Sequence, residues 1–274
     1  MGHIICIASQ KGGVGKTTTA INLSAALAVA ERETLLVDCD PQGHATTGMG
    51  IDKRKLTKTL SQGMMGYAIA EELIIDSGLD FLKTLPARVE LFHAEAELMS
   101  KHGKERVLRN LLIDLKETYD YIIIDSPPSL RLLTVNAVTA ADSLLIPLQC
   151  EFYALEGLGQ LLQSIQILKK KFNPGIKIAG ILLTMFAVGE EVSRQIAEHA
   201  RNHFKDMLFR TVIPRNVHLR ESASHGKPLL LEDIMSVGAR SYLELAREIT
   251  DRGPVFRSKN LAAKVGPSET FGDL

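Results

Sequence analysis

The run Ser9-Gln10-Lys11-Gly12-Gly13-Val14-Gly15-Lys16-Thr17-Thr18 concentrates cations, glycines and hydroxyls in a few consecutive residues. An apolar segment, His3–Ala8, precedes it, and Lys16–Ala30, with helical periodicity, follows. A strand, a glycine loop and a helix in that order make a phosphate cradle. The glycines let backbone N–H groups converge on phosphate oxygens with no Cβ in the way. The new helix turns its positive end toward the same anion. In such a loop Lys16 reaches the outer phosphates and the Thr17 hydroxyl holds Mg2+. The ordinary pattern, GxxxxGK[ST], would place glycine where Gln10 stands and does not require Lys11.

Carboxylates stand at two further strand ends. The segment Leu35-Leu36-Val37-Asp38-Cys39-Asp40-Pro41-Gln42-Gly43 ends an apolar run in two aspartates. A carboxylate there points into the crevice beyond the sheet, where bound phosphates sit. Capping the next helix is the other use of either group. The segment Tyr121-Ile122-Ile123-Ile124-Asp125 repeats the pattern, and its aspartate suits Mg2+. Pro127 and Pro128 stiffen the loop that follows. The 8 histidines are scattered without metal-like spacing, and no Ser/His/Asp triad is indicated.

These groups need a scaffold that brings strand ends together. Apolar runs at His3–Ala8, Thr34–Asp38, Leu79–Thr84, Tyr121–Asp125, Ser143–Leu148, Lys177–Thr184 and Phe209–Ile213 read as strands. Several are continuous rather than alternating, as in parallel sheets buried on both faces. Between them Lys16–Ala30, Lys104–Glu117, Leu130–Ala141, Ala154–Phe172, Val192–Met207 and Val237–Thr250 carry helical periodicity. The alternation predicts an α/β fold, a doubly wound, mostly parallel sheet with helices on both faces. Residues 51–78 and 86–103 are expected to form peripheral helices. Residues 1–251 read as one domain and 252–274, with Gly253, Pro254, Gly266 and Pro267, as a loosely attached tail.

Composition narrows the function classes. Of 274 residues 45% are apolar and 23% charged, and the formal net charge is zero, unlike a protein built wholly to coat nucleic acid. The 3 cysteines, Cys6, Cys39 and Cys150, lie in or beside apolar runs without CxxC spacing. They are expected to be buried thiols in a reducing compartment. The phosphate loop follows Met1–Ala8 too closely for a signal peptide, and no stretch is long and apolar enough to span a membrane. A cytoplasmic protein is expected.

The run Lys11-Gly-Gly-Val-Gly-Lys16-Thr17 resembles the deviant Walker A loop of the ParA/MinD ATPases. The likeness extends over roughly residues 3–250 and is greatest to the short, Soj-like ParA members. It includes Leu133-Thr134-Val135-Asn136-Ala137, Gln149-Cys150-Glu151-Phe152-Tyr153-Ala154-Leu155-Glu156-Gly157 and Val212-Ile213-Pro214-Arg215-Asn216. The resemblance implies a P-loop NTPase fold of the SIMIBI type and ATP with Mg2+ as ligands. Residues Lys11, Gly12, Gly13, Val14, Gly15, Lys16, Thr17 and Thr18 would grip ATP, and Pro214 and Asn216 would flank the adenine. Thr17, Asp40 and Asp125 would serve the metal, while Asp40 orients the attacking water and Asp38 supports it. Lys11 would cross to the partner's nucleotide in an ATP-dependent homodimer, joining Lys16 and Asp40 in catalysis. The implied dimer binds double-stranded DNA nonspecifically on the nucleoid, and a ParB-like partner stimulates its slow hydrolysis.

The chain departs from that family where Soj-like members carry DNA-binding arginines. The corresponding places read Phe186-Ala187-Val188-Gly189-Glu190-Glu191 and Val217-His218-Leu219, without arginine. Arg194, Arg201, Arg210, Arg215, Arg220, Lys227 and Arg240 could rebuild a basic patch nearby. The alternative is a membrane-associated positioning ATPase of MinD or FlhG type, for which the tail offers Val255, Phe256 and Leu261 among Arg257, Lys259 and Lys264. A nitrogenase-type reductase or an iron–sulfur scaffold would need better placed cysteines. An amidoligase would not explain the sequence beyond residue 130. The cargo is not written in this chain.

Overall fold

Runs of Ile, Val and Leu with no polar side can be stable strands only if both faces are covered. In the computed structural model they are. It describes residues 1–151, 154–216, 219, 222 and 225–253. The strands are β1 (His3–Ile7), β2 (Thr34–Asp38), β3 (Ile75–Leu79), β4 (Leu82–Leu85), β5 (Tyr121–Asp125), β6 (Ser143–Gln149), β7 (Lys177–Phe186) and β8 (Leu208–Pro214). They form an 8-stranded sheet in the order β3-β4-β2-β5-β1-β6-β7-β8. All pairs are parallel except β3 with β4. Every residue of β1, β2 and β6 is buried.

Successive side chains go to opposite faces, which divides the core in two. On one face Ile4, Val37, Ile122 and Ile124 join Leu60, Leu91, Leu108, Leu133 and Leu161. These come from α3 (Leu60–Met65), α4 (Leu91–Leu98), α5 (Val107–Leu112), α6 (Leu132–Ala140) and α7 (Ala154–Lys171), with α8 (Glu191–Phe204) beyond. On the other face Ile5, Ile7, Leu36 and Ile123 meet Leu23, Leu27, Leu229, Tyr242 and Leu245. Those belong to α1 (Lys16–Val29), α9 (Leu229–Glu232) and α10 (Val237–Arg252). A short α2 (His44–Gly48) follows β2 and packs on α1.

Three expectations are corrected. Within 51–78, expected to form peripheral helices, Ile75–Leu79 is strand β3. The apolar stretch Leu79–Thr84 is not one strand, because Leu79 pairs antiparallel with Leu82. The chain reverses between them with Phe81 at φ 62°, and the Phe81 carbonyl accepts from Thr34 N of β2 at 2.8 Å. Residues 104–117 form α5 flanked by two 3-10 turns rather than one helix. The amide of Asn136 supplies the reason: its oxygen accepts from Leu108 N and its nitrogen donates to the Lys104 carbonyl. A side chain from α6 thereby satisfies backbone groups that a continuous helix would satisfy internally.

All three cysteines are buried. Among the described residues no helix is long and apolar enough to cross a membrane. The tail expected over 252–274 lies outside the described residues, except that Arg252 ends α10 and Gly253 follows it.

Candidate nucleotide site

Residues 8–15 leave the carboxyl end of β1 in the middle of the sheet and open into α1. Gly13 and Gly15 take φ of 75° and 90°, a conformation only glycine adopts without strain. No side chain caps α1 at Gly15, so its first N–H groups face the loop ready for an anion. The loop is tied down from outside. Thr184 at the end of β7 donates to the Val14 carbonyl at 2.9 Å. Ser126 donates to the Ile7 carbonyl at 2.8 Å, and Gln10 donates to Ser164 of α7 at 3.2 Å. Gln10, the departure from the ordinary loop pattern, therefore anchors the loop to a helix. Sequence reading missed Thr184, Ser126 and Ser164 in this role, because each acts across a long chain separation.

The two lysines of the loop point different ways. Lys16 is 7% exposed and donates to the Lys11 carbonyl at 3.1 Å. Burial holds its ammonium below the usual lysine range, while Asp125 and Asp40 pull the other way. The Lys11 ammonium lies outside the loop, half-exposed, 2.9 Å from Glu151.

Three aspartates face this region. Asp38 and Asp125 are register partners on β2 and β5, and both are fully buried. Asp38 accepts hydrogen bonds from Thr46 N and Thr46 Oγ1, each at 2.7 Å, and from Asp40 N at 3.1 Å. Burial pushes its carboxyl up to about 6 despite those bonds. Asp38 thus both caps α2 and supports Asp40, the two uses the sequence left open. Asp40, nearly buried, accepts from Gln42 N at 2.9 Å.

Asp125 differs from both. Neither of its buried oxygens makes a close hydrogen bond. Burial, then Asp38, holds its carboxyl well above the usual range, and the nearby Thr17 hydroxyl and Lys16 ammonium only partly offset this. A carboxylate without a close hydrogen bond, beside a threonine hydroxyl and a phosphate loop, fits Mg2+, which would take its remaining ligands from water and phosphate oxygens. Among the described residues no cluster of His, Cys, Asp and Glu would hold a metal alone.

Pro214 ends β8 opposite Phe186 of β7, on the same carboxyl edge of the sheet as the loop. Asn216 lies two residues on, against α10 at Gly238. The basic candidates differ in their surroundings. Arg194 pairs with Glu191 and Arg215 with Glu190 at 3.5 Å. Arg240 directs its guanidinium to Met235 Sδ at 3.9 Å, and Arg201 and Lys227 are exposed. Arg220 lies outside the described residues, as do Val217 and His218.

A family model described as an AAA domain matches residues 2–178. The chromosome partitioning protein ParA of Myxococcus xanthus is 52% identical over 92% of this chain and 89% of its own. The sporulation initiation inhibitor protein Soj of Bacillus subtilis is 47% identical over 92% of this chain and 100% of its own. The chain belongs to the ParA/Soj family of P-loop ATPases. Among solved structures, cobyrinic acid a,c-diamide synthase from Mycobacterium smegmatis with bound ADP and magnesium superposes with a TM-score of 0.81. That protein is 34% identical over 92% of this chain and 95% of its own. The family match spans the phosphate loop, Asp40 and Asp125. The ParA and Soj matches run over nearly the whole fold, including the ends of β7 and β8.

Proposed function

We propose that this ParA/Soj-family chain is an ATP-driven dimerising switch that positions or segregates DNA or another large cargo. ATP sits on residues 11–18, with Pro214 and Asn216 beside the base. Thr17 and Asp125, helped by Asp40, hold Mg2+, which neutralises phosphate charge when bound. Lys16 binds the outer phosphates, and Asp40 orients the attacking water. Identities of 52% and 47% to partitioning proteins, against 34% to the diamide synthase, favour the switch over amide synthesis.

One observation carries the reading: the loop holds two lysines and uses one inward. Lys16 already fills the role of phosphate cation, whereas Lys11 presents its ammonium outward beside Glu151. A cation at the rim of a phosphate site suits a nucleotide held by a second copy of the chain, where it would meet charge on the transferring phosphoryl group. Nonspecific double-stranded DNA then binds the dimer, a ParB-like partner stimulates slow hydrolysis, and the subunits part in the cytoplasm or on the nucleoid. The energetic basis is a two-state equilibrium biased by buried triphosphate.

Light scattering on the Asp40→Ala chain tests this directly. With saturating Mg-ATP the variant should run as a dimer, and the Lys11→Ala, Asp40→Ala double variant as a monomer. A monomeric Asp40→Ala chain that still binds ATP would remove the switch.

A further inference from the structure

We propose that Thr46 is a positioning residue for hydrolysis, pinning Asp38 and through it Asp40 to the loop that follows β4. The proposal rests on the reading that Asp40 orients the attacking water.

The Thr46 hydroxyl joins the end of β2 and α2 to the loop after β4, which is distant in sequence. It donates to Asp38 Oδ2 at 2.7 Å and accepts from Ala87 N at 2.9 Å. The direction of this relay is forced. A backbone N–H can only donate and an ionised carboxylate can only accept, so the Thr46 oxygen accepts from Ala87 and gives its own proton to Asp38. Asp38 in turn accepts from Asp40 N at 3.1 Å, and Asp40 accepts from Gln42 N at 2.9 Å. Thr46, Asp38 and Ala87 are all 0% exposed, so water cannot replace a missing partner.

The local structure makes Asp40 depend on this relay. Helix α2 has Gly43 at its N-cap, in the left-handed conformation and without a side-chain cap. Asp38 supplies the cap instead, through Thr46 N. Gly43 packs so closely on the far loop that a Cβ there would lie 2.7 Å from the Ala87 carbonyl. The segment from Asp38 to Thr46 is therefore clamped at both ends, and Asp40 projects from its middle. Without the hydroxyl, Ala87 N is orphaned and Asp38 loses one of the donors that fix it. Asp40 is then free to shift from the place where a water must be held.

The test compares Thr46→Val, which keeps the shape without the hydroxyl, with Thr46→Ser, which keeps the hydroxyl. ATP hydrolysis and binding of a fluorescent ATP analogue are measured well below each variant's melting temperature. Misplacing a catalytic group costs about 10- to 100-fold in rate. Thr46→Val should lose kcat in that range, with KM and analogue affinity within about threefold of wild type, and Thr46→Ser should restore kcat. In the Asp40→Ala background Thr46→Val should cost nothing more, since it acts through Asp40. Thr46→Ala serves if the valine variant does not fold. Wild-type kcat in Thr46→Val, or an equal loss in Thr46→Ser, would overturn the inference. Wild-type hydrolysis by Asp40→Ala alone would instead sink the role of Asp40 on which it rests.

Discussion

Asp125 sits in a place that penalises its own charge. Both carboxylate oxygens are buried without a close hydrogen bond, and Asp38 stands opposite on the neighbouring strand. Among the described residues only the Lys16 ammonium and the Thr17 hydroxyl favour an anion there, and burial outweighs both. Holding a carboxyl neutral costs about 1.4 kcal/mol for each tenfold by which burial disfavours its ionisation, a cost that an amide does not carry. Asp125→Asn should therefore raise the melting temperature of the nucleotide-free protein, at about 2–4 °C per kcal/mol for a chain of this size. The same change should abolish Mg2+-dependent hydrolysis. The sign with pH follows from the raised carboxyl. Well below the ordinary aspartate value of about 3.9 both folded and unfolded forms are protonated and the gain vanishes. Above it only the unfolded form readily ionises, so the gain grows with pH. Calorimetry across pH checks both the direction and the trend, and a variant less stable at neutral pH contradicts them.

Among the elements, α10 does most to fix the edge of the sheet that carries Pro214. Glu248 accepts from Arg210 N at 2.9 Å, from Thr211 N at 3.0 Å and from Thr211 Oγ1 at 2.9 Å, and Arg252 joins it one turn on at 2.6 Å. Burial opposes its charge, but these four donors outweigh burial and hold its carboxyl below the usual range. Arg252 also lies over the Phe209 ring, 4.4 Å from its centroid. Glu248→Gln should cost about 1–3 kcal/mol, since hydrogen bonds to a charged acceptor exceed those to a neutral one. This stability is present above the ordinary glutamate value of about 4.3 and is lost as pH falls through the depressed folded value. Thermal melts of the two proteins should thus converge in acid. On the other side of α1, Asn22 accepts from Leu229 N at 2.8 Å, and Gly50 meets Gly226 so closely that a Cβ at Gly50 would lie 2.7 Å from the Gly226 carbonyl. The segment carrying Lys227 is thereby tied both to the phosphate-loop helix and to the stretch after α2.

For the whole molecule, zero net charge makes any DNA affinity depend on where the cations stand. Glu190 and Glu191 sit against Arg215 and Arg194, so each carboxylate lowers the positive potential beside a cation. Counterion release scales with the number of cations that contact phosphates. Replacing both glutamates by glutamine should strengthen binding of random duplex by the ATP dimer about two- to fivefold at low salt, with a steeper salt dependence. ATP hydrolysis without DNA should not change. Unchanged affinity would place the DNA surface elsewhere or remove it.

The sequence alone determined the buried sheet, the phosphate loop and the two carboxylate-bearing strand ends, because each is written in consecutive residues whose spacing matches a backbone geometry. Continuous apolar runs marked β1, β2, β5 and β6, and Gly13, Gly15, Lys16 and Thr17 could serve little but a phosphate. Residues 79–84 and 104–117 misled, because their patterns are apolar or amphipathic while their shape is set by a turn at Phe81 and by Asn136 reaching from another helix. Only the tertiary structure separated Asp38, which accepts from Thr46 and Asp40, from Asp125, whose buried oxygens make no close hydrogen bond, though both end buried strands. Only it turned Lys16 inward and Lys11 toward Glu151. The reason is common to all of these. A side chain's chemistry is local, but its partners come from segments that meet only when the sheet and its two helical layers are assembled.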